Sequence, residues 1–279
     1  MDCTAYPVAP PKIVAIATDK YVIPKHDSQD KELPGPAPKY GQDFEFGVGR
    51  AAPGGQSVGK TVADLKPKME FLLRAFAKDD DTGMARRLFD KFLAKQDRVY
   101  YFEDADLNAA AAQHENILYF CSAALGAPYP FGISPASGKT RIHQALKAAS
   151  WDISKLNAPT DLGVPAFNKG SKLRSTEDFS NGLGLMINGV QHAYVIATHY
   201  HYDKTSNFYC INLKHLFYDV FGLDDEDLRK YGADDDSGEL SFSRQGQGIT
   251  AWWQLQHQHG YAPLVTRIVV NKTYHVPAI

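Results

Sequence analysis

The sequence predicts an α+β fold in which an N-terminal helical half packs on a C-terminal antiparallel β-sheet, preceded by a Pro-rich extended arm. Apolar residues recur at helical spacing between residues 60 and 158, and the spacing falls towards two after Pro159. Helices first and strands later are typical of an α+β chain, because alternating strands and helices would form a parallel sheet instead. With 279 residues, of which 44% are hydrophobic, the chain is long enough to bury a large core.

The N-terminal segment, residues 1–58, is predicted to be an arm or adaptor. Residues 59–279 are predicted to be a single domain with a helical part at 60–158 and a β-rich part at 159–279. Proline and glycine recur throughout the N-terminal segment, and both disfavour helices there. Its apolar run from Ile13 to Ala17 is able to add one strand. The alternative interpretation of this segment is a partly disordered leader.

Four apolar stripes at helical spacing predict the helices of the first half. They lie at 65–76, 84–93, 107–125 and 142–149. Thr61 and Asp64 have the spacing of a capping box, in which each side chain bonds the backbone of the other, so the first helix is predicted to begin there. A further helix is predicted at 249–257.

Four runs of alternating, β-branched and aromatic residues predict the strands of the second half. They lie at 182–188, 191–201, 207–219 and 264–271. Asn188-Gly189 falls between two of these runs, and this pair favours the tight turn of a β-hairpin. The sheet is therefore expected to be antiparallel.

Charge and cysteine content narrow the classes of function. The 30 Lys and Arg against 32 Asp and Glu leave a net charge of -2, so no bulk attraction to nucleic acid or to an anionic membrane is expected. The three cysteines are too few and too scattered for a disulfide framework or a zinc knuckle. The sequence shows no secretion signal and no long uninterrupted apolar run, which predicts a protein made in the cytoplasm without a signal peptide or a transmembrane segment.

Three motifs each suggest a binding function, but a structural interpretation is preferred for each of them. Residues 54–61 fit the phosphate-binding pattern G-x-x-x-x-G-K-[ST], but no buried strand leads into them, so a Gly-rich linker entering a helix is preferred. His199, His201 and Asp203 share one strand face, as zinc ligands would, yet a polar strand end leading into a turn is preferred. The acidic stretch 224–239 lacks the glycine spacing of a calcium loop and is predicted to be a solvated loop, with a hard cation such as Mg²⁺ at this edge as the alternative.

Two carboxylates give the most informative candidate site. A predicted strand ends at Asp219, Gly222 allows a sharp turn, and the chain then returns Asp224 close to Asp219. Paired carboxylates are able to hold Mg²⁺ or to divide general acid and general base roles. The alternative is a capped turn in which Asp224 or Asp225 begins a helix at 225–230.

This turn and the helix at 249–257 together carry a family resemblance. They resemble an uncharacterised family of Gram-negative bacterial proteins with the motifs D-H-F-G-L-D, W-[FY]-x-L-Q-[HR] and G-Y-x-P-[FL]-x-T, over roughly residues 60–275. The matching residues are Asp219, Phe221, Gly222, Leu223 and Asp224, then Trp252, Trp253, Leu255, Gln256 and His257, then Gly260, Tyr261, Pro263, Leu264 and Thr266. The chain departs from the family at Val220, where the family has His, and at Thr250, where it has Arg.

The resemblance implies an antibacterial effector. Such proteins are often encoded with type VI secretion spike components or as toxin tips of larger proteins, and some look like colicin M, which cleaves the peptidoglycan precursor lipid II. The implied activity is hydrolysis of lipid II, or of a related undecaprenyl pyrophosphate-linked precursor, in the periplasm of target bacteria. The implied cofactor is Mg²⁺, and the implied partners are a secretion spike or tube protein and a cognate immunity protein, without nucleic acid.

The carboxylate pair and the resemblance together assign roles to residues. Asp219 and Asp224 are expected to hold Mg²⁺ or to act as general base, and His257 to act as acid or to stabilise developing charge. If the family His is needed at position 220, this member is either inactive or uses another imidazole, such as that of His215, His257 or His259. The residues expected to bind substrate are Trp252, Gln256, Tyr261 and Arg244, the last in place of the family Arg.

Two other functions stay open. One is a non-enzymatic binding or adaptor module of a secretion or toxin system, in which Trp252, Trp253 and Tyr261 pack a core or contact a partner. The other is a nucleotide-dependent protein that uses Lys60.

Overall fold

The computed structural model describes residues 2–18, 33–35, 38, 40–53, 60–125, 141–163, 165, 180–187, 189–233 and 241–279. Within these ranges the predicted α+β class is confirmed, because most helices lie in the first half and the longest consecutive strands lie in the second.

Nine α-helices and six β-strands lie in the described ranges. The helices are α1 (Val62–Met69), α2 (Phe71–Phe76), α3 (Met84–Leu93), α4 (Ala105–Gln113), α5 (Glu115–Leu125), α6 (Arg141–Ala148), α7 (Leu183–Met186), α8 (Asp225–Tyr231) and α9 (Ser241–Gln258). The strands are β1 (Pro7–Thr18), β2 (Tyr100–Phe102), β3 (Thr160–Gly163), β4 (His192–Asp203), β5 (Phe208–Phe221) and β6 (Leu264–Pro277).

The strands form one mixed sheet in the order β2-β6-β5-β4-β1-β3. The four inner strands pair antiparallel, as predicted, whereas the short edge strands β2 and β3 run parallel to their neighbours. A turn at 204–207 joins β4 to β5, and Asn207 adopts the left-handed conformation there with φ of 54°.

The predicted strand at 182–188 is wrong, and with it the predicted hairpin. Residues Leu183–Met186 form the short helix α7, which Gly182 precedes with φ of 90°. The side chain of Asn181 accepts a hydrogen bond from the Leu183 N–H, so it satisfies a free donor at the start of this helix. Asn188 lies outside the described residues.

The strand predicted at 13–17 is present and is longer than the apolar run. β1 lies between β4 and β3, and Ile13, Val14 and Ala15 are buried. The N-terminal segment therefore supplies an inner strand of the sheet. The wider division of the chain into an arm at 1–58 and a domain at 59–279 stays a prediction.

Side chains from both faces of the sheet are buried. Successive residues of a strand point to opposite faces, so Phe217 joins the larger core against the helices while Tyr218 joins a smaller cluster on the other face. Tyr40 and Phe44 pack into that smaller cluster. The segment around residue 44 is thereby held against the sheet beside the end of β5.

The helices follow the predicted stripes with two interruptions. The stripe at 65–76 is divided at Glu70 into α1 and α2, and the stripe at 107–125 is divided at His114, whose ψ of 130° is extended. The capping box of Thr61 and Asp64 is confirmed at the start of α1. None of the described helices combines the length and the apolarity that crossing a bilayer needs.

Helix α9 begins at Ser241, well before the predicted start at 249. Glycine weakens a helix in isolation, but Gly246 and Gly248 allow close packing here. A Cβ atom at Gly248 would lie 2.8 Å from Leu72 Cγ, and one at Gly246 would lie 2.5 Å from Ala233 Cβ. Tertiary packing therefore extends the helix over a stretch that its sequence disfavours.

Candidate functional site

Three aspartates meet where β5 ends and α8 begins. One carboxylate oxygen from each of Asp43, Asp224 and Asp227 lies within 4.8 Å of the others. All three residues are half-buried, so the group reaches solvent on one side. We call these three residues the acidic cluster.

The first turn of α8 fixes two members of the acidic cluster. Asp224 is the N-cap, and its Oδ1 accepts from the Asp227 N–H at 2.8 Å. In return, Asp227 Oδ2 accepts from the Asp224 N–H at 3.3 Å. The expected alternative of a capped turn is thus confirmed, and each of these hydrogen bonds uses one of the two oxygens that a carboxylate offers.

Gly222 allows the third member to approach. Asp43 lies in a 3₁₀ turn at Gln42–Phe44, which packs directly on the backbone between β5 and α8. A Cβ atom at Gly222 would lie 2.2 Å from the Asp43 carbonyl oxygen, a separation that backbone atoms do not tolerate. Glycine at position 222 is therefore needed for the contact that brings Asp43 to the cluster.

Gln256 of α9 ties the two backbone segments together. Its Nε2 donates to the Asp43 carbonyl at 2.9 Å and the Glu45 carbonyl at 2.7 Å, and lies 3.3 Å from the Leu223 carbonyl. Its Oε1 accepts from the Leu223 N–H at 3.0 Å. Because the side chain is completely buried and bonds both segments, Gln256 positions the acidic cluster from behind.

Charge repulsion is concentrated on Asp43. Part of this residue reaches the surface, yet protein atoms surround its carboxyl group. Burial raises the pKa of Asp43 well above its usual range, and the nearby Asp227, Asp224 and Asp219 raise it further. The Gln191 Nε2 donates to Asp43 Oδ2 at 3.1 Å and offsets part of this cost.

A second charged network lies on the other side of the same helical turn. Arg50 Nη2 donates to Asp225 Oδ2 at 2.6 Å, and the Trp253 indole N–H donates to Asp225 Oδ1 at 3.2 Å. Arg50 Nη1 also lies 3.7 Å from a carboxylate oxygen of Glu45. Asp225 is thus paired with a cation.

His257 belongs to this second network. Its Nε2 lies 2.7 Å from the Leu223 carbonyl oxygen, so Nε2 carries the proton, and Nδ1 faces the Arg50 Nη1 donor at 3.3 Å. Burial lowers the pKa of His257, and the Arg50 guanidinium lowers it further. The imidazole is therefore held neutral as a donor to the turn before α8.

The structure groups Asp224 with Asp43 and Asp227. Asp219 is buried near the end of β5, where its Oδ2 accepts from the Gly189 N–H at 3.3 Å. It lies near enough to Asp43 to raise the pKa of that carboxyl, but it is outside the group whose oxygens lie within 4.8 Å of one another. The sequence indicated Asp219 as the partner of Asp224, whereas the structure groups Asp224 with Asp43 and Asp227.

Of the four residues expected to bind substrate, three are buried and one is exposed. Trp252 is buried with its ring stacked on Phe221 at 4.1 Å, and Tyr261 is buried beside Phe92. Gln256 is buried behind the acidic cluster. Arg244 is exposed, and its guanidinium lies 6.0 Å from the Phe71 ring centre.

Where the structure describes the other motifs, their side chains have structural roles. The ring of His201 stacks on Tyr6 at 3.8 Å, and Asp203 accepts hydrogen bonds from Thr205 and Ser206 in the turn that follows, as the polar strand end predicted. Residues 54–59 of the phosphate-loop pattern and 234–240 of the acidic stretch lie outside the described residues. Cys121 and Cys210 are buried, as predicted for core residues.

Sequence reasoning missed Asp43, Asp227 and Arg50 as site residues. Asp43 and Arg50 lie in the Pro- and Gly-containing segment that was predicted to be an arm, where no periodic pattern marks individual side chains. Asp227 lies in the acidic stretch that was predicted to be a solvated loop, whereas Asp225–Tyr231 form α8. Only the charge of these three residues was a signal. Comparison of the chain with known protein families, curated proteins and solved structures finds no match.

Proposed function

We propose that this protein is a Mg²⁺-dependent hydrolase that acts on a pyrophosphate-linked lipid of the bacterial envelope. The observation that supports the proposal is the acidic cluster, in which three carboxylates converge while burial and repulsion raise the pKa of Asp43. A bound dication would relieve that repulsion. Asp43, Asp224 and Asp227 would hold the ion.

The donor set fits the proposed ion. Mg²⁺ binds hard oxygen ligands and commonly uses a few carboxylates together with water or substrate phosphate oxygens. Every side-chain donor in the acidic cluster is a carboxylate oxygen, and the half-buried position leaves room for substrate from the solvent side. Such an ion, when bound, polarises a phosphoryl oxygen and lowers the pKa of water.

The neighbouring residues have supporting roles in this proposal. Asp219 adds a fourth negative charge near Asp43. Arg50 is the candidate for the guanidinium that stabilises phosphate charge, because Asp225 holds it against the same helical turn and its side chain is 38% exposed. His257 orients Arg50 through Nδ1, so its assignment as an acid stays a prediction.

The family resemblance supports the choice of substrate and biological setting. On that basis the substrate is lipid II or a related undecaprenyl pyrophosphate-linked precursor, and the protein is a type VI secretion effector that acts in the periplasm of target bacteria. A spike or tube protein would carry it, and an immunity protein would protect the producing cell.

The test combines metal binding with head-group release from purified lipid II. We expect Asp43→Asn and Asp224→Asn to weaken Mg²⁺ binding at least tenfold by calorimetry and to abolish release. Asparagine remains a good N-cap, so Asp224→Asn should keep the helix. Glu226→Gln is the matched control, because Glu226 lies exposed in the same first turn and outside the cluster.

Two results would contradict the proposal. One is Mg²⁺ affinity that is equal in the wild type, Asp43→Asn and Asp224→Asn. The other is a wild-type protein that binds Mg²⁺ at the cluster but releases no head group from lipid II, which would remove the substrate assignment and leave the metal site.

A non-enzymatic binding module is the second candidate, and one observation favours it. Trp252, Trp253 and Tyr261 are buried in the core, as that alternative expected. Expression in the periplasm separates the two candidates. Toxicity that is lost in Asp224→Asn supports the hydrolase, whereas toxicity or partner binding that is indifferent to Asp224→Asn and Asp219→Asn supports the binding module.

A further inference from the structure

A cavity of about 640 Å³ opens beside the first half of β1. It lies at the opposite end of the sheet from the acidic cluster, since Pro7 pairs with His199 on β4, whereas Gln191, which bonds Asp43, comes just before β4 begins. The intervening part of β4 spans about 25 Å at about 3.3 Å per residue. The cavity is therefore a separate site.

Most of the wall of this cavity is apolar. Five of its sixteen lining residues are proline, and most of the others are aliphatic. Tyr200 contributes an aromatic wall, which is fixed because its hydroxyl donates to the Trp151 carbonyl at 2.8 Å. The volume is within the range of about 300 to 1,000 Å³ that small-molecule sites occupy.

One cation lines the cavity. The Lys12 ammonium lies 3.1 Å from the carbonyl oxygens of both Ile153 and Ser154, which hold it in place. An ammonium has three N–H donors, so these two acceptors leave one for a ligand. Among the sixteen lining residues that the structure describes there is no Asp or Glu, so none of these residues places a carboxylate beside the positive charge.

We propose that this cavity binds a single-chain amphiphile with an anionic head, such as a fatty acid or an alkyl phosphate. The apolar walls would receive the aliphatic chain, and the third N–H of Lys12 would donate to the carboxylate or phosphate oxygen. A charged hydrogen bond of this kind is roughly twice as strong as a neutral one. The proposal does not depend on the hydrolase proposed for the acidic cluster.

An aliphatic ligand suits these walls better than a peptide does. A bound peptide needs partners for its own N–H and C=O groups, and proline has no backbone N–H to offer. Pro7, Pro10 and Pro11 occupy the part of β1 that faces the cavity. An alkyl chain makes no such demand.

The test measures binding of decyl phosphate and decanoate to the full-length protein by calorimetry, with 1-decanol as the uncharged probe. We expect saturable binding of one molecule of either anion, with affinity that is at least tenfold higher than for decanol. Lys12→Gln should reduce the affinity for both anions about tenfold, the usual effect of losing a hydrogen bond to a charged group, while decanol binding stays unchanged.

Three further variants keep the test decisive. Lys155→Gln is the matched control, because Lys155 is exposed in the same loop, pairs with Asp152 at 3.6 Å, and does not line the cavity. Ala158→Phe should fill the cavity and weaken all three probes without disturbing the core, since Ala158 is exposed. Asp224→Asn should leave binding unchanged.

Three results would overturn this proposal. The first is the absence of saturable binding by the wild type for both anions. The second is equal affinity for decanol and the anions. The third is a loss in Lys155→Gln as large as the loss in Lys12→Gln, which would indicate general attraction to surface charge.

Discussion

The first turn of α8 presents aspartates to two different surroundings. Asp225 faces Arg50 and the Trp253 indole and is fully compensated. Asp224 and Asp227 face Asp43, another carboxylate. Neighbouring aspartates of one helical turn therefore form an ion pair with Arg50 on one side and converge on another carboxylate on the other side.

This difference separates charge that stabilises the fold from charge that costs stability in the folded state. A folded protein loses stability by holding like charges together, and here it also uses Gly222 and Gln256 to keep Asp43 in place. Proteins retain such arrangements at functional sites more often than elsewhere. The ion pair between Asp225 and Arg50 requires no functional explanation.

Removing the support behind the acidic cluster should have the largest effect. Gln256→Leu leaves the buried carbonyls of Asp43 and Glu45 and the Leu223 N–H without their partner. We expect the free energy of unfolding to fall by about 4 kcal/mol, because each unsatisfied buried group costs about 1 to 3 kcal/mol. Urea denaturation measures this.

Gln258→Leu is the control for that variant. Gln258 lies on the same helix and its side chain makes one hydrogen bond, to the Arg50 carbonyl at 3.2 Å. A loss of about 1 kcal/mol is expected. Equal losses for the two variants would show that Gln256 has no special positioning role.

Separating Asp43 from α8 should have the next largest effect. Gly222→Ala places a methyl group against the Asp43 carbonyl and should cost about 2 kcal/mol, within the usual range for overpacking. Mg²⁺ affinity should fall with it. Gly189→Ala provides the comparison, since a Cβ atom there meets nothing within 4 Å, and thermal unfolding should scarcely distinguish it from the wild type.

Removing the negative charge of Asp225, which pairs with Arg50, should destabilise the protein moderately. Asp225→Asn keeps an acceptor for the Trp253 indole but loses the ion pair with Arg50. We expect a loss of about 1 to 2 kcal/mol, reduced by the partial exposure of both side chains. Chemical denaturation beside Glu226→Gln checks this, and no loss in Asp225→Asn would mean that the pair contributes nothing.

Removing the negative charge of Asp43 should stabilise the protein, and this change in stability should be the smallest of the series. Asp43→Asn removes a carboxylate that burial and three neighbours oppose, so stability at pH 7 should rise by about 0.5 to 1 kcal/mol after screening by solvent. Mg²⁺ binding should weaken in the same variant. Stability and metal affinity that fall together would contradict the distinction between the two sides.

The stability gained in Asp43→Asn should depend on pH, because the pKa of Asp43 is raised in the folded state. The folded state holds the Asp43 proton more tightly than the unfolded state, whose pKa is near the ordinary value of 3.8. The stability this confers is complete below pH 3.8 and is lost as pH rises through the higher folded pKa. Unfolding curves of the wild type and Asp43→Asn should therefore converge in acid and separate towards neutral pH.

Local patterns in the sequence predicted much of the fold. The capping box at Thr61 and Asp64, the stripe of α3 and the alternating residues of β5 depend on neighbours within a few positions, and all three are present. The strand predicted at 182–188 was wrong because its apolar residues fit a short helix once Asn181 caps it. Apolar runs this short do not distinguish the two structures.

The acidic cluster was only half predictable. Asp224 was marked by the turn at Gly222, but its partner Asp43 is set by a hydrogen bond between residues 213 positions apart, from Gln256 to the Asp43 carbonyl. No periodicity links such positions. The burial of Trp252 and Tyr261 likewise depends on contacts with Phe221 and Phe92 from other elements.

The place of β1 in the sheet also affects when its pairings are able to form during synthesis of the chain. Among the described strands this one comes first in the chain, whereas its partners β3 and β4 lie at Thr160–Gly163 and His192–Asp203, so its pairings require residues that are synthesised much later. Pairings between distant residues form slowly, because a long loop must close first. A chain that has not reached Gln256 likewise lacks the hydrogen bond that holds the Asp43 carbonyl beside α8.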